Sequence, residues 1–414
     1  MTTLHEFRHH WRTLAGCTIA AATGTIGLYA YTSGAFVHTL TDVGFTRDQL
    51  AQATLILSAS VAVCAPIAGA MMDRFGAFRV VAFSIFGEAL AFALLSTVPV
   101  DYSVYAGCIA LLAVLGVGTT PPGFARMVTA RFDRARGLAL GIMISGLGLM
   151  AITGPIWATW AIGYLGWRGG YRVMAALVVI LGGSGLLLIR SDRGDSGAAQ
   201  GGSRRAGGDF SAFRRPLFWI MLLGFLMPPF FSGGYLLHLI ILLRERGFTP
   251  AGAAQVQSLI GLAVLTGRLG SGVALDRFAA PRVAAFAFAI SGMGCALLIQ
   301  SNPALIAIAA FGIGLTIGAE LDIMAYCISR YFGLASFGKL YGLAYGCLVL
   351  SAGASPVMIS RIADGGSYST ALGVSTVGTL AGAAILLMMP DPRRYAKAQT
   401  ETLTEIKVLA EPRK

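Results

Sequence analysis

The chain has 414 residues, of which 56% are hydrophobic and only 12% charged, whereas a soluble domain carries about 25% charge. That balance excludes an ordinary water-soluble globule, and the six cysteines, all inside apolar runs without CxxC or Cys/His spacing, point to neither a disulfide framework nor a metal or cofactor site. The net charge of +12 would suit a nucleic-acid ligand, but its placement along the chain argues for a different origin.

Cut at about 20–28 residues per span, the apolar runs give twelve segments: 13–36, 48–72, 77–97, 103–130, 135–160, 171–190, 216–243, 252–276, 282–300, 303–330, 337–361 and 367–389. The basic stretch His5 to Arg12 precedes an apolar run long enough to span, so the first helix is expected to be retained rather than cleaved. Of the 31 Lys and Arg, 23 lie at the termini and in alternate loops on one side and six on the other, with Arg126 and Arg268 inside spans. This asymmetry places both termini in the cytoplasm. The positive charge is therefore a topology signal, and no nucleic-acid partner is expected.

Span one carries Gly24, Gly27, Tyr29, Tyr31, Ser33 and Gly34 and ends at His38. Such a polar, glycine-rich helix suits a cavity wall or close packing through small residues. Between spans two and three lies Gly69 to Val80, GAMMDRFGAFRV. Its Gly69, Asp73, Arg74, Phe75, Arg79 and Val80 recur 203 positions later around Asp276, Arg277 and Arg282, which marks a duplicated chain. Glu88 in span three is an isolated acid, expected to have a structural partner. Span four should kink at Pro121-Pro122. Arg126 follows, able either to snorkel to the interface or to touch a gate or substrate. The loop after it supplies Arg131, Arg134 and Arg136.

Residues 191–215 hold six glycines and no apolar period, the composition of a linker between halves. The expected organisation is a bundle over 1–190, this linker, a second bundle over 216–390 and a polar tail over 391–414. Span seven repeats the loosened character of span one, with Pro228, Pro229, Gly233, Gly234 and Tyr235, and ends at His238, 200 positions after His38. Both histidines read as interfacial anchors or gate residues.

Arg268 in span eight lies eight residues inside the Asp276 turn, about 12 Å along a helix. That depth is too great for easy snorkelling. An intramembrane arginine costs about 2.5–3.5 kcal/mol or more, so a buried acid or an anionic ligand is expected beside it. Span ten offers Glu320 and Asp322, roughly 200° apart on a helix. One is expected to face the cavity and the other a neighbour, with Asp322 the better placed because it continues a polar stripe through Tyr326 and Ser329.

Twelve spans, a central linker and a duplicated DRFG-type hairpin resemble the major facilitator superfamily over essentially the whole chain. The run Arg131 to Gly148 and the arginine eight residues before the second hairpin's Asp are similar to the monocarboxylate and oxalate:formate transporters. The resemblance implies an all-α membrane protein of twelve helices in two pseudo-symmetric six-helix bundles, working by alternating access. It further implies that Arg268 engages a substrate carboxylate. It also gives Asp73 and Arg74, with Arg134 or Arg136, and by duplication Asp276 and Arg277, as a cytoplasmic latch between the halves. The lysines those families carry in spans one and eleven have no counterpart here, since Thr32 stands at the first and the span from 337 has only Lys339 at its end.

The reading that follows is a secondary transporter of an organic anion, a carboxylate of mono- or aromatic, medium-sized type, coupled to protons. It would act as a monomer, without cofactor, in a bacterial inner membrane. Arg268 would bind the carboxylate, Glu320 or Asp322 would exchange the proton, and Tyr29, Tyr31, Tyr235, Tyr326 and Tyr345 would shape the pocket. Anion exchange, or export of neutral or cationic hydrophobic compounds with Arg268 purely structural, are the alternatives. No HExxH or GxSxG motif suggests an enzyme.

Overall fold

A backbone immersed in lipid must satisfy its own polar groups, and this chain does so with helices alone among the described residues. The computed structural model describes residues 3–132, 136–191, 214–332 and 337–391. All but the ends of the expected linker and tail, and Arg134, therefore lie outside the described residues, as do the side chains of Asp73, Arg136 and Asp276.

Among the described residues, eleven helical stretches are long and apolar enough to cross a membrane. The fifth, Ala139–Ser191, has 53 residues, about 80 Å of helix against a hydrocarbon core of about 30 Å. It contains two of the twelve expected spans. Gly146 in α7 (Arg136–Leu177) packs against Thr18 of α1 (Thr3–Ala22), and Gly185 in α8 (Gly183–Ser191) packs against Gly16 and Ala20 of that helix. Two glycines about 40 positions apart can touch neighbouring turns of α1 only if the chain doubles back between them. Gly166, with φ 69° and ψ 176°, is where it does.

Three spans are broken. Span one divides at Thr23-Gly24 into α1 and α2 (Thr25–Asp42). Span four divides into α5 (Tyr102–Gly116), a single 3₁₀ turn and α6 (Pro121–Thr129). The double proline that ought to kink this span instead starts a new helix, since a missing N–H costs nothing at a first helical turn. Span seven divides at Gly233-Gly234 into α9 (Pro216–Ser232) and α10 (Tyr235–Glu245). The remaining spans are α3 (Arg47–Phe75), α4 (Ala77–Leu95), α11 (Pro250–Arg277), α12 (Ala280–Leu297), α13 (Pro303–Phe332), α14 (Phe337–Gly365) and α15 (Tyr368–Leu387).

The duplication extends further than the hairpins. Gly44-Phe45-Thr46 and Gly247-Phe248-Thr249 are the same tripeptide at the same 203-residue offset. Both glycines have positive φ (118° and 85°), and both phenylalanine N–H groups close on a leucine carbonyl, Leu40 or Leu243, at 3.1 Å. Each threonine then caps the next helix, α3 or α11. The hairpins themselves have diverged. Gly76 turns the first with φ 87°, whereas the second passes through extended Phe278 and Ala279 into Pro281 at the start of α12.

The two halves meet along α3 with α14, α7 with α11, and α2 with α10. Small residues set the approach. A Cβ on Gly353 of α14 would fall 2.2 Å from Cβ of Ser58, and one on Gly261 of α11 2.3 Å from the Ala151 backbone. Gly353→Ala should therefore lower the melting temperature of purified protein, overpacking of this kind costing about 1–3 kcal/mol. Gly342→Ala on the same helix, where nothing lies within 4 Å, should leave it unchanged.

Candidate functional site

A cavity of about 180 Å³ lies at the centre of the seam. Its wall is mostly apolar, and Arg268 and Glu320 are the charged residues among those lining it. The discontinuous helices supply much of the lining. Tyr29, Tyr31 and Ser33 come from α2, and Pro229, Ser232 and Gly233 from the end of α9. At that break the N–H of Gly234 is satisfied by Ser355 Oγ at 2.8 Å, a side-chain partner replacing the lost helical one.

Arg268 projects from α11 with a side chain only 13% exposed, and its Nη1 lies 3.7 Å from Oδ1 of Asp322. That separation is an ion pair without close hydrogen-bond geometry. Glu320, two positions earlier on α13, is buried, and its Oε2 has no hydrogen-bond partner. The cavity-facing row of α13 runs Thr316, Ile317, Glu320, Leu321, the spacing of one helical stripe. Asp322 falls just off that row. The expectation that Asp322 faces the cavity is thus corrected: Glu320 faces it, and Asp322 neutralises Arg268 from the side. The polar stripe that suggested otherwise gave relative angles along α13 but not the direction in which the helix is rotated.

Of the five tyrosines expected in the pocket, Tyr29, Tyr31 and Tyr345 line it. Tyr235 does not: it is fully buried behind the wall, its hydroxyl 3.3 Å from Ser375 Oγ. Tyr326 packs against the core of the second half, with the Arg330 guanidinium 5.2 Å over its ring. Both are corrections to the expected lining. Thr54, Ser58 and Thr316 line the cavity and were not anticipated. Thr316 sits one turn before Glu320, and that i, i+4 relation was the available signal.

The cavity adjoins a second space on the side of the hairpin. Tyr345 and Val349 also line this space, of about 550 Å³ between α3 and α14, which reaches Gly69 and Met72 at the hairpin. At its rim Arg126 Nη1 donates to the Gly69 carbonyl at 3.1 Å, so this arginine braces the start of the hairpin. Of the expected latch, Arg74 is exposed with its guanidinium over Phe75 at 5.2 Å, and Arg277 is exposed as well.

On the opposite face ion pairs join the halves. Arg47 Nη1 lies 2.6 Å from Glu245 Oε1, and Arg361 Nε lies 3.9 Å from Asp48 Oδ1. The two histidines differ, and at the 203-residue offset His38 matches Ile241 rather than His238. His38 is exposed and pairs with Asp42 at 2.8 Å. His238 is fully buried: its Nε2 is 3.0 Å from the Pro356 carbonyl, so Nε2–H donates, and Nδ1 accepts from the Tyr368 hydroxyl at 3.1 Å.

The family model of the Major Facilitator Superfamily matches residues 14–280 and 239–413. Monocarboxylate transporter 13 of Rattus norvegicus is 26% identical over 360 residues, covering 83% of this chain and 81% of that protein. A gallate transporter of Pseudomonas putida is 24% identical over 392 residues, covering 81% and 85%. Among solved structures, a D-xylose-proton symporter superposes with a TM-score of 0.70 at 13% identity, covering 94% of this chain and 99% of that one.

The face with the ion pairs yields a prediction. Glu245→Gln should raise labelling of a cysteine placed at Ser33 by a membrane-impermeant maleimide supplied from that face. The increase should stay within about fivefold, because a half-exposed ion pair contributes about 0.2–1 kcal/mol.

Proposed function

The chain belongs to the Major Facilitator Superfamily, a transporter of a small molecule across a membrane rather than an enzyme, and from that premise we propose that it carries an organic carboxylate by proton-coupled alternating access. The observation that supports this reading is Arg268, the cation among the charged lining residues of an otherwise apolar cavity, held only loosely by Asp322 at 3.7 Å. A carboxylate entering the cavity would compete with Asp322 for the guanidinium. Burying an anion is favourable only against such a partner. The body of the substrate would rest against Tyr29, Tyr31 and Tyr345, which suits an aromatic or medium-sized apolar acid, in keeping with the monocarboxylate and gallate carriers named among its relatives.

Glu320 would exchange the coupling proton. Its free Oε2 faces the same cavity, so an anion drawn to Arg268 and a second negative charge on Glu320 disfavour one another at close range. Neutralising Glu320 as the substrate binds removes that repulsion. This is a physical route to symport. Residues 1–190 and 216–390 would rock as the two bundles about this site, with Asp73, Arg74, Arg134, Arg136, Asp276 and Arg277 latching the hairpin face once the cavity opens the other way. The side with 23 of the 31 basic residues would be cytoplasmic, in a bacterial inner membrane, which would put the space beside the hairpin on the cytoplasmic side.

A thermal-shift screen of purified protein against mono-, di- and aromatic carboxylates tests the substrate class. A ligand at 100 times its Kd stabilises by about 2.7 kcal/mol, and Arg268→Ala should abolish the shift. Hits confined to neutral or cationic compounds would favour the exporter reading instead. In proteoliposomes, Glu320→Gln should keep substrate counterflow while losing uptake driven by a pH gradient. Asp322→Asn should enlarge the thermal shift given by a carboxylate, because it removes the group that competes for Arg268.

A further inference from the structure

Glu88 takes no part in the cavity, yet it is completely buried in α4. Its Oε2 accepts from Thr119 Oγ1 at 2.7 Å, while Oε1 is buried with no hydrogen-bond partner. Thr119 lies in the 3₁₀ turn that breaks span four, and its hydroxyl oxygen accepts from the Thr25 N–H at 3.0 Å, just past the break in span one. One turn earlier on α4, Ser84 Oγ accepts from the Gly118 N–H at 3.1 Å. One helix thus holds the breaks of two others, and Glu88 is at the junction. Immediately beyond it, Ile26, Gly27 and Pro121 line the central cavity and Val117 and Thr120 line the space beside the hairpin.

No charged side chain acts on Glu88 among the described residues. What faces it is Thr25 from α2, Thr119 from the 3₁₀ turn and the apolar packing of its own helix. An ionised carboxylate in such a place, with one donor and no cation, costs several kcal/mol. A proton removes that cost.

The second half supplies an internal control. The position 203 residues after Glu88 is Ser291 in α12, fully buried, whose Oγ lies 3.3 Å from Ser232 Oγ at the end of α9. The corresponding span there meets the end of α9, beside the span-seven break, through a neutral hydroxyl, and α13, the counterpart of span four, is unbroken. Bracing alone therefore does not call for an acid.

We propose that Glu88 is a second proton-binding residue of the carrier, separate from the central cavity. It holds a proton while the Glu88–Thr119–Thr25 knot is closed, and releases it when the breaks in spans one and four move and water reaches the carboxyl. Acid pH then favours the state described here, and alkaline pH favours its departure. This inference does not depend on what the central cavity carries.

The test needs no substrate. A cysteine replacing Ala65, which lines the space beside the hairpin, is labelled with maleimide in a background lacking the half-buried Cys64, Cys108 and Cys347. Each rate is normalised to that of the unfolded protein at the same pH. From mildly acidic to mildly alkaline pH the normalised rate should fall by about threefold or more as the population shifts. With Glu320→Gln present in every protein compared, so that the cavity acid does not contribute, it should be flat in Glu88→Gln and in Glu88→Ser, the second copying the residue at Ser291. Infrared spectra of the full-length protein should in parallel show a protonated-carboxyl band that is lost in Glu88→Gln. A pH dependence preserved in both variants, or a band untouched by the substitution, would overturn the proposal. Should Glu88→Gln not fold, Glu88→Ser carries both measurements.

Discussion

A guanidinium inside an apolar bundle has to be neutralised, and much of the centre of this molecule follows from that requirement. Arg268 is two helical turns from the end of α11, too deep to reach water along its own stem. Its neutralisation comes from α13, which must therefore pack beside α11, and the two helices make close backbone contact at Gly267 against Leu315 and Gly318 against Val264. Glycines at those points bring the acids of α13 within reach of the cation. The resulting pair is long at 3.7 Å and leaves Asp322 about a third exposed. A tighter pair would be more stable in isolation and less able to accept a competing anion, so the looseness itself is what the proposed chemistry needs.

Breaking a membrane helix frees backbone donors that lipid cannot satisfy. Here every break described is answered by hydroxyls from a neighbouring helix: Thr119 for Thr25, Ser84 for Gly118, Ser355 for Gly234. These contacts fix where spans one, four and seven change direction, and the changes of direction bring Tyr29 and Tyr31 from one half opposite Pro229 and Gly233 from the other. The cavity is in this sense a product of the breaks.

Much of this architecture could be read from the residues, and the limits have definite causes. Length and hydropathy located the spans, and the DRFG hairpins exposed the duplication, because both are local patterns. Arg268 stood out because a deep charge is costly wherever the helix points. Periodicity also separated Glu320 from Asp322, but it gives only their relative angle, and the absolute rotation of α13 is decided by packing against α11 and α12. The same limit explains Tyr235 and Tyr326, which lie on cavity-bearing spans but on faces turned into the second half. Arg47 and Glu245 are nearly 200 positions apart, and no local rule joins them. The Gly-Phe-Thr turns were legible in principle, since they repeat at the hairpin offset, but three residues are easily passed over without the left-handed glycine to give them meaning.

The duplicated halves have not kept duplicate chemistry. Turn geometry is preserved at the far face, where identical tripeptides each end in a threonine that caps the next helix, and lost at the hairpin face, where Gly76 has no counterpart of positive φ. In the interior the divergence is larger still. Arg268, Glu320 and Asp322 all belong to the second half, and in the first the fully buried acid Glu88 is set behind the cavity wall rather than on it. Ser291, by contrast, shows that the same structural place can be filled without charge. A scaffold needs symmetry only in the contacts that let its halves rotate against each other, namely the glycine seams of α3 with α14 and α7 with α11. Ionisable groups are too expensive in this environment to be retained by symmetry alone. Where one half keeps an acid that the other replaces with a hydroxyl, the difference points to work done by the proton, and it separates binding in the second half from the bracing of movable helix breaks in the first.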